Sequence, residues 1–177
     1  TPISTPGQLI ALMGDPTAWA QDYYLTTDID LSGRTDQVPI GSAGKNFTGT
    51  FDGCGYEIKG LNLVKSDMTS ASDINWALFG RVNGATIKNL TVSGTVDGSA
   101  KGRRVGGIVG VCVTGTAKIE NCVNNCTVSG AKYVGGIVGH VASGSIVMSN
   151  CMNTGSVTAL TPDGKGYADL GGLIGLA

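Results

Sequence analysis

The hexapeptide VGGIVG occurs twice in this chain, at 105–110 and at 134–139, and this recurrence constrains the fold more than any other feature. Related segments at 76–80 (WALFG) and 170–175 (LGGLIG) extend the pattern to four copies. Equivalent positions of the second and third copies lie 29 residues apart. An internal period of 20–50 residues is the signature of a solenoid, in which each repeat buries its apolar side against its neighbours.

Short β-branched segments separated by Gly, Asn and Ser fill each repeat, as in KIENC and TVSG. This pattern is typical of strands and turns and lacks the 3.6-residue period of a helix. Three strands of ~5–6 residues, with their turns, account for one repeat. The sequence therefore predicts an all-β fold, a right-handed parallel β-helix of roughly triangular cross-section.

Stacking of the coils predicts columns of inward side chains. These columns are Leu78, Ile108, Ile137 and Leu173; Val82, Cys112, Val141 and Ala177; Ile87, Ile119 and Met148; Leu90, Cys122 and Cys151; and Val96, Val128 and Val157. At one corner, Asn89, Asn121 and Asn150 align, and stacked Asn amides can hydrogen-bond along such a ladder.

A further set of apolar residues has the opposite parity to the first column: Phe79, Val109, Val138 and Ile174. In a regular strand these side chains would form an outward apolar stripe, which would motivate association with another molecule. If the neighbouring glycines bend the chain, both columns enter the core instead. We favour the second interpretation.

Residues 1–22 are expected to form an N-terminal cap, and residues 23–177 the β-helix domain. Ser4 or Thr5 can cap a short helix with Pro6 at its first position, and Gly14 and Pro16 end it. Such a helix would cover the open end of the solenoid. The chain stops inside its last repeat, so we expect it to be a piece of a longer protein.

Composition and motifs argue against several functions. The formal net charge is −1 with 14% charged residues, which offers no electrostatic basis for nucleic-acid binding, and no apolar run approaches the ~20 residues of a membrane span. VGGIVG lacks the lysine of a phosphate-binding loop. His140 is the only histidine and is expected to face solvent without a catalytic role.

Asp28, Asp30, Asp36 and Asp52 are the densest acidic group. Paired carboxylates could act on sugars or hold calcium. Asp is also a favoured turn residue because it bonds its own backbone, and we favour structural roles.

Five cysteines are present, an odd number without a CxxC motif. Cys122 and Cys151 share one column, one coil apart, whereas Cys54, Cys112 and Cys126 lie elsewhere. Stacked side chains point the same way, which suits disulfide geometry poorly, so we favour reduced thiols. No metal-binding set is complete, and no cofactor is expected.

The repeated segments WALFG, GGIVG and GGLIG resemble the GLUG repeat of bacterial surface and secreted proteins. The upstream segments YYLTTDIDLSG, PIG and FTGTFDGCGYEIKGLNL resemble the part that precedes such repeats, so the similarity spans about 23–177. The resemblance implies a right-handed β-helix found in adhesins and in the non-catalytic regions of some immunoglobulin-cleaving metalloproteases. Cys54 departs from it, because Asn is usual there, and Cys126 replaces the Gly present at positions 94 and 155.

Three function classes remain open. The first is a non-catalytic module of a bacterial extracellular or cell-surface protein, an adhesin or structural stalk. It would bind a host or cell-surface protein or glycan, or associate end-to-end with itself or with the rest of its parent chain.

The second class is a carbohydrate-active β-helix and the third a ligand-binding one, including ice-binding proteins. A carbohydrate site would need a charged cluster, and the candidates are Lys101, Arg103, Arg104 and Lys132. An ice-binding face would need a regular threonine array, and the candidates are Thr91, Thr95, Thr127 and Thr158. We rank the surface module first and predict no catalytic, cofactor or metal residue.

Overall fold

A computed structural model shows a solenoid of about four turns built from parallel strands, with one short helix near the N-terminus. It describes residues 1–42, 44–64, 75–98, 102–160 and 168–177. Every strand-to-strand pairing between named strands is parallel. The predicted parallel β-helix is confirmed.

Four sheets run along the solenoid, and they are named here in the order in which one coil visits them. The first sheet contains β1 (Pro2–Ile3), β2 (Tyr23–Leu25), β4 (Thr50–Asp52), β8 (Thr86–Lys88), β12 (Thr116–Glu120) and β17 (Ser145–Ser149). The second contains β3 (Ile29–Asp30), β5 (Glu57–Val64), β9 (Thr91–Asp97), β13 (Val123–Asn124), β14 (Thr127–Gly130), β18 (Met152–Asn153) and β19 (Val157–Ala159). The third contains β6 (Asn75–Trp76), β10 (Arg104–Gly106), β15 (Tyr133–Gly135) and β20 (Asp169–Gly171). The fourth contains β7 (Phe79–Asn83), β11 (Val109–Thr114), β16 (Val138–Val141) and β21 (Ile174–Leu176).

A complete coil therefore has more strands than the sequence predicted. The coil that begins at β12 continues through β13, β14, β15 and β16, giving five strands on four sheets. The expectation of three strands is wrong because turns at 125–126 and 136–137 divide the chain more finely than the apolar pattern suggests. VGGIVG itself contains such a bend, at residues 107–108 between β10 and β11.

This bend places both apolar columns of the repeat in the core. Ile108, Val109, Ile137 and Val138 are all fully buried, as are Leu78 and Phe79 in the preceding coil. The alternation of inward and outward side chains is interrupted between β10 and β11, because the chain turns there from one sheet to the next. The interpretation that both columns enter the core is confirmed, and the described residues leave no outward stripe at these positions.

The remaining columns lie as predicted in the interior coils. Ile119 pairs with Ile87 and Met148, and Val128 pairs with Val96 and Val157. In the coil that runs from β17 to β21, Met148 and Val157 are half-buried, and Leu173 of the first column is 40% exposed.

The glycines of VGGIVG make room for other parts of the same coil and its neighbours. A Cβ atom on Gly107 would overlap the side chain of Asn124, and one on Gly136 would overlap that of Asn153. Gly110 and Gly139 pack against the backbone of the third sheet. A Cβ atom on Gly110 would lie 3.1 Å from the backbone nitrogen of Trp76, and one on Gly139 would lie 2.6 Å from that of Val105. The hexapeptide recurs because each coil repeats these close approaches.

The helix α1 (Pro6–Gly14) covers one end of the core. Thr5 is its N-cap and forms a capping box with Gln8, with Pro6 at the first position. Leu9, Leu12 and Met13 are buried against the first coil. The strand β1 precedes the helix and pairs with β2, so residues 1–22 also contribute the first strand of the first sheet.

Candidate functional site

The predicted asparagine ladder forms at the corner between the first and second sheets. Asn121 donates through Nδ2 to Oδ1 of Asn89 at 2.9 Å, and Asn150 donates to Asn121 at 3.2 Å. All three residues have a left-handed backbone, with φ of 52°, 53° and 50°. Asn89 donates in turn to Asp52 Oδ1 at 2.9 Å, which extends the ladder by one coil.

A second asparagine ladder lies inside the solenoid, and the sequence analysis missed it. Asn124 is fully buried and donates through Nδ2 to Asn153 Oδ1 at 2.9 Å. Its own Oδ1 accepts from the backbone nitrogen of Cys126 at 3.2 Å, and Asn153 donates to the carbonyl of Gly155 at 2.9 Å. An inward Asn looks like a loop residue in sequence; the signal was its 29-residue recurrence.

The acidic residues are held in turns and ion pairs. Asp30 accepts from the backbone nitrogen of Ser32 at 2.8 Å, and Asp36 pairs with Arg34 at 2.6 Å. Asp28 accepts from the Lys59 ammonium at 2.9 Å and from the backbone nitrogen of Glu57 at 3.0 Å. These hydrogen bonds hold the pKa of all three carboxyls below the usual range of Asp.

Asp52 also has a structural environment. Burial alone would raise its pKa, but hydrogen bonds from Asn89 and from the backbone of Cys54, together with Lys88 at 3.3 Å, lower it. Across the described ranges, no three or more His, Cys, Asp or Glu residues come together as a metal site.

All five cysteines are free thiols in the structure. Cys122 is buried, and its Sγ contacts the carbonyls of Glu120 and Ile87 at 3.3 and 3.7 Å. The hydrogen bond it shares with Cys151, together with burial, raises the pKa of the Cys122 thiol. Cys54 is the exposed thiol, in a left-handed turn with φ of 52°.

The candidate ice-binding threonines do not align. Thr95 and Thr127 are register partners with hydroxyls 3.4 Å apart, but Thr158 pairs with Ser129 in the adjacent column. The column of Thr91 continues through Val123 and Met152, as the sequence indicated.

One cluster of charged and aromatic side chains lies where the third and fourth sheets meet. We call Arg104, Lys132, Tyr133 and His140 the cation–aromatic cluster. The rings of Tyr133 and His140 stack with centroids 4.5 Å apart and an angle of 16° between planes. The Lys132 ammonium lies 4.7 Å from the centroid of the Tyr133 ring. Arg104 donates through Nε to Nδ1 of His140 at 3.3 Å and through Nη1 to Asn75 Oδ1 at 3.3 Å.

The bend between β15 and β16 creates this cluster. Tyr133 and Arg104 are register partners on the third sheet, and His140 lies on the fourth sheet, in register with Val111 and Leu176. Because the two strands are joined by a two-residue bend, residues seven positions apart come into ring contact.

The electrostatic environment of His140 is dominated by cations. Burial lowers the pKa of His140, the charges of Arg104 and Lys132 lower it further, and Asp169 opposes them more weakly. The imidazole is therefore neutral near pH 7, which agrees with Nδ1 accepting the hydrogen bond from Arg104.

His140, which the sequence predicts to face solvent, does so only in part. It is half-buried and joined to two residues of the predicted basic group, Arg104 and Lys132. Arg103 is half-buried beside Arg104 in the chain, and Lys101 lies outside the described residues.

Comparisons with known proteins support the fold class. No protein-family model matches the chain. Halomucin from Haloquadratum walsbyi is 32% identical over an alignment of 144 residues, which covers 61% of this chain and 2% of the length of halomucin. The crystal structure of a "putative immunoglobulin A1 protease" from Bacteroides ovatus matches with a TM-score of 0.61 and 22% identity, over 99% of this chain and 61% of that one.

These results define the chain as a β-solenoid. The structural likeness extends over nearly the whole chain but, at 22% identity, shows the fold alone. Similarity to halomucin is compatible with an extracellular surface module. Among the described residues, no helix has both the length and the apolar character needed to cross a membrane.

Proposed function

We propose that this chain is a non-catalytic extracellular module of a surface protein, serving as an adhesin or structural stalk. The observation that carries this proposal is the stacking of coils that repeat one pattern, with side-chain hydrogen bonds that run from coil to coil. Asn121, Asn124 and Ser129 each bond to a residue about one coil away. Such a design favours mechanical continuity along the solenoid.

The similarity to halomucin supports an extracellular location, because the name of that protein describes a mucin. The GLUG resemblance of the repeats supports the same location. Because the matches to halomucin and to the Bacteroides ovatus protein cover only part of each protein, the activity of neither is transferred to this chain.

We propose further that the module is not an enzyme. The acidic residues that could act on sugars are bound in turns and ion pairs, and Asp52 also caps the asparagine ladder. A panel of polysaccharides and peptides incubated with the purified chain should show no turnover. Turnover that is lost in Asp52→Asn or His140→Ala would overturn this part of the proposal.

End-to-end association is proposed only through the last coil. The helix α1 covers the opposite end of the core, so a head-to-tail fibre would require its displacement. The last coil instead exposes apolar side chains whose columns are buried in the preceding coils, with Leu170 and Leu173 at 51% and 40% exposure. Either the rest of the parent chain or another molecule could cover them.

Surface location can be tested directly in the source cells. Intact cells would be treated with a protease that cannot enter them, and the loss of this chain would be followed with an antibody raised against it. We expect the chain to be lost while a cytoplasmic marker is retained. Full protection of the chain in intact cells, with digestion after lysis, would contradict the proposal.

A ligand-binding β-helix is the second candidate, and the cation–aromatic cluster favours it. The ice-binding version has no support from register, because Thr158 leaves the column of Thr95 and Thr127.

A further inference from the structure

We propose that the cation–aromatic cluster binds the anionic group of an acidic glycan, such as the carboxylate of a uronic acid. This inference rests on the proposed surface function and names the ligand class that the module would recognise. It starts from the way the structure gathers Arg104, Lys132, Tyr133 and His140 at one seam of the solenoid.

The cluster combines charge with fixed geometry. The Arg104 guanidinium is held by His140 and Asn75, so a side chain with several rotatable bonds is already ordered before a ligand arrives. The Lys132 ammonium is held over the Tyr133 ring, which in turn stacks on His140. Ordering of this kind reduces the entropy lost on binding.

The field at the cluster favours an anion. Arg104 on β10 and Lys132 in the turn before β15 both lower the pKa of His140. Asp169 on β20 raises this pKa, with a smaller effect. Val111 and Leu176, the register partners of His140, are apolar. With Nδ1 engaged by Arg104, the neutral imidazole carries its proton on Nε2, which adds a donor beside the cations.

A glycan fits this surface better than a peptide or a nucleic acid. Peptides commonly bind by adding a strand to a sheet edge, but β15 is paired with β10 and β20, and β16 with β11 and β21. Nucleic acids need a wide basic surface, and this chain has a net charge of −1. A compact set of donors and rings matches the footprint of one or two sugars.

Binding would be measured by calorimetry with three oligosaccharides of equal length: an oligouronate, its methyl ester and a sulfated neutral sugar. We expect the purified chain to bind the oligouronate, to bind the ester at least about 10-fold more weakly, and to lose affinity as salt rises. The sulfated sugar distinguishes recognition of carboxylates from recognition of any anion. No binding of either acidic sugar, or equal binding of the ester, would overturn the proposal.

Two lysine variants provide the matched comparison. Lys132→Gln removes a cation of the cluster, whereas Lys118→Gln removes an exposed cation on β12 in the first sheet. Losing one charge-assisted hydrogen bond should weaken binding by about 10-fold or more in Lys132→Gln and leave Lys118→Gln unchanged. Equal effects of the two variants would show a non-specific charge effect and contradict the site.

A second readout does not depend on the fold of any variant. His140 is the only histidine, so its ring signals in an NMR titration report on this cluster alone. A bound anion favours the imidazolium, so the oligouronate should raise the pKa of His140 while the methyl ester leaves it unchanged. Saturating oligouronate without such a rise would place binding elsewhere and overturn the assignment.

The two proposals fail in distinguishable ways. A chain protected inside intact cells but binding oligouronates at His140 would refute the surface function alone. A chain that is exposed on cells but does not bind acidic glycans would refute this inference alone.

Discussion

At the scale of single residues, the corner asparagines show how the chain offsets local strain. A left-handed backbone costs most residues about 1–2 kcal/mol, whereas Asn tolerates it better than other non-glycine residues. Asn89, Asn121 and Asn150 all adopt this conformation, and their amides bond to one another along the solenoid. Backbone shape and side-chain ladder thus select the same residue type.

Two substitutions at Asn121 separate these contributions. Asn121→Gly keeps the left-handed backbone and loses the ladder, whereas Asn121→Ala loses the ladder and adds strain. We expect Asn121→Ala to lower the free energy of unfolding by about 1 kcal/mol more than Asn121→Gly. Urea denaturation of both variants measures the difference. Equal destabilisation would contradict a cost from backbone strain at this corner.

His140 should also make stability depend on pH. Its folded-state pKa is lowered by burial and by Arg104 and Lys132, so the unfolded chain binds a proton more readily. The stabilising contribution is therefore present above the ordinary pKa of His, about 6.5, and is lost as pH falls from there toward the lower folded-state value. Denaturation between pH 7.5 and 5 should show this loss in the natural chain and a smaller loss in His140→Gln. Parallel pH profiles of stability for the two chains would show that His140 does not cause the loss.

At the scale of strands and turns, the second glycine of VGGIVG is matched to a residue on another strand. Gly107 faces Asn124, and Gly136 faces Asn153. In the preceding coil, Ala77 lies in the bend that corresponds to the bend of Gly107, and Val92 is the register partner of Asn124. An alanine is therefore accommodated in the coil that carries a valine instead of the inner asparagine.

A double-mutant cycle tests this match. Gly107→Ala should destabilise the chain by about 1–3 kcal/mol, because its methyl group would overlap Asn124. Asn124→Val should also destabilise it, because Asn153 loses a hydrogen-bond partner. The double variant should be more stable than the sum of the two effects predicts, although the Gly136 carbonyl, 2.5 Å from the ideal Cβ, limits the recovery. Simple additivity would show that the two positions are not linked.

The capping helix is the other element with a distinct role. Leu9 is fully buried in the core, while Thr5 only caps the helix backbone. Leu9→Ala should cost about 2–5 kcal/mol, and Thr5→Ala about 1 kcal/mol. Thermal unfolding with a dye that binds exposed apolar surface would compare them. A dye signal in Thr5→Ala as large as in Leu9→Ala would mean that the helix does not depend on its apolar face.

At the scale of the whole molecule, the sequence predicted what repeats and missed what the bends bring together. The columns of Ile119 and Val128 and the corner ladder could be predicted, because each recurs at a fixed spacing. The contact between His140 and Arg104 could not, because these residues lie 36 positions apart on different sheets. Only the bend at 136–137 shows that their sheets meet.

The five thiols provide a test of the entire core. Cys54 is exposed, whereas Cys112, Cys122 and Cys126 are buried. In the native chain an alkylating reagent should modify the exposed Cys54 and the half-buried Cys151, and leave these three protected until unfolding. Denaturation without reductant should then expose five reactive thiols, as mass spectrometry of the labelled chain would show. A count of three, with Cys122 and Cys151 unlabelled, would reveal a disulfide and contradict the reduced state.

The in-register pairing of whole coils also bears on how such a chain can change over evolutionary time. Loss or duplication of 29 residues between equivalent points, such as the two VGGIVG segments, would join strands whose inward columns still match. Recombination between repeated stretches of the gene would therefore yield shorter or longer chains that keep the same interior. A lineage could lengthen or shorten the solenoid by whole coils without searching for a new fold.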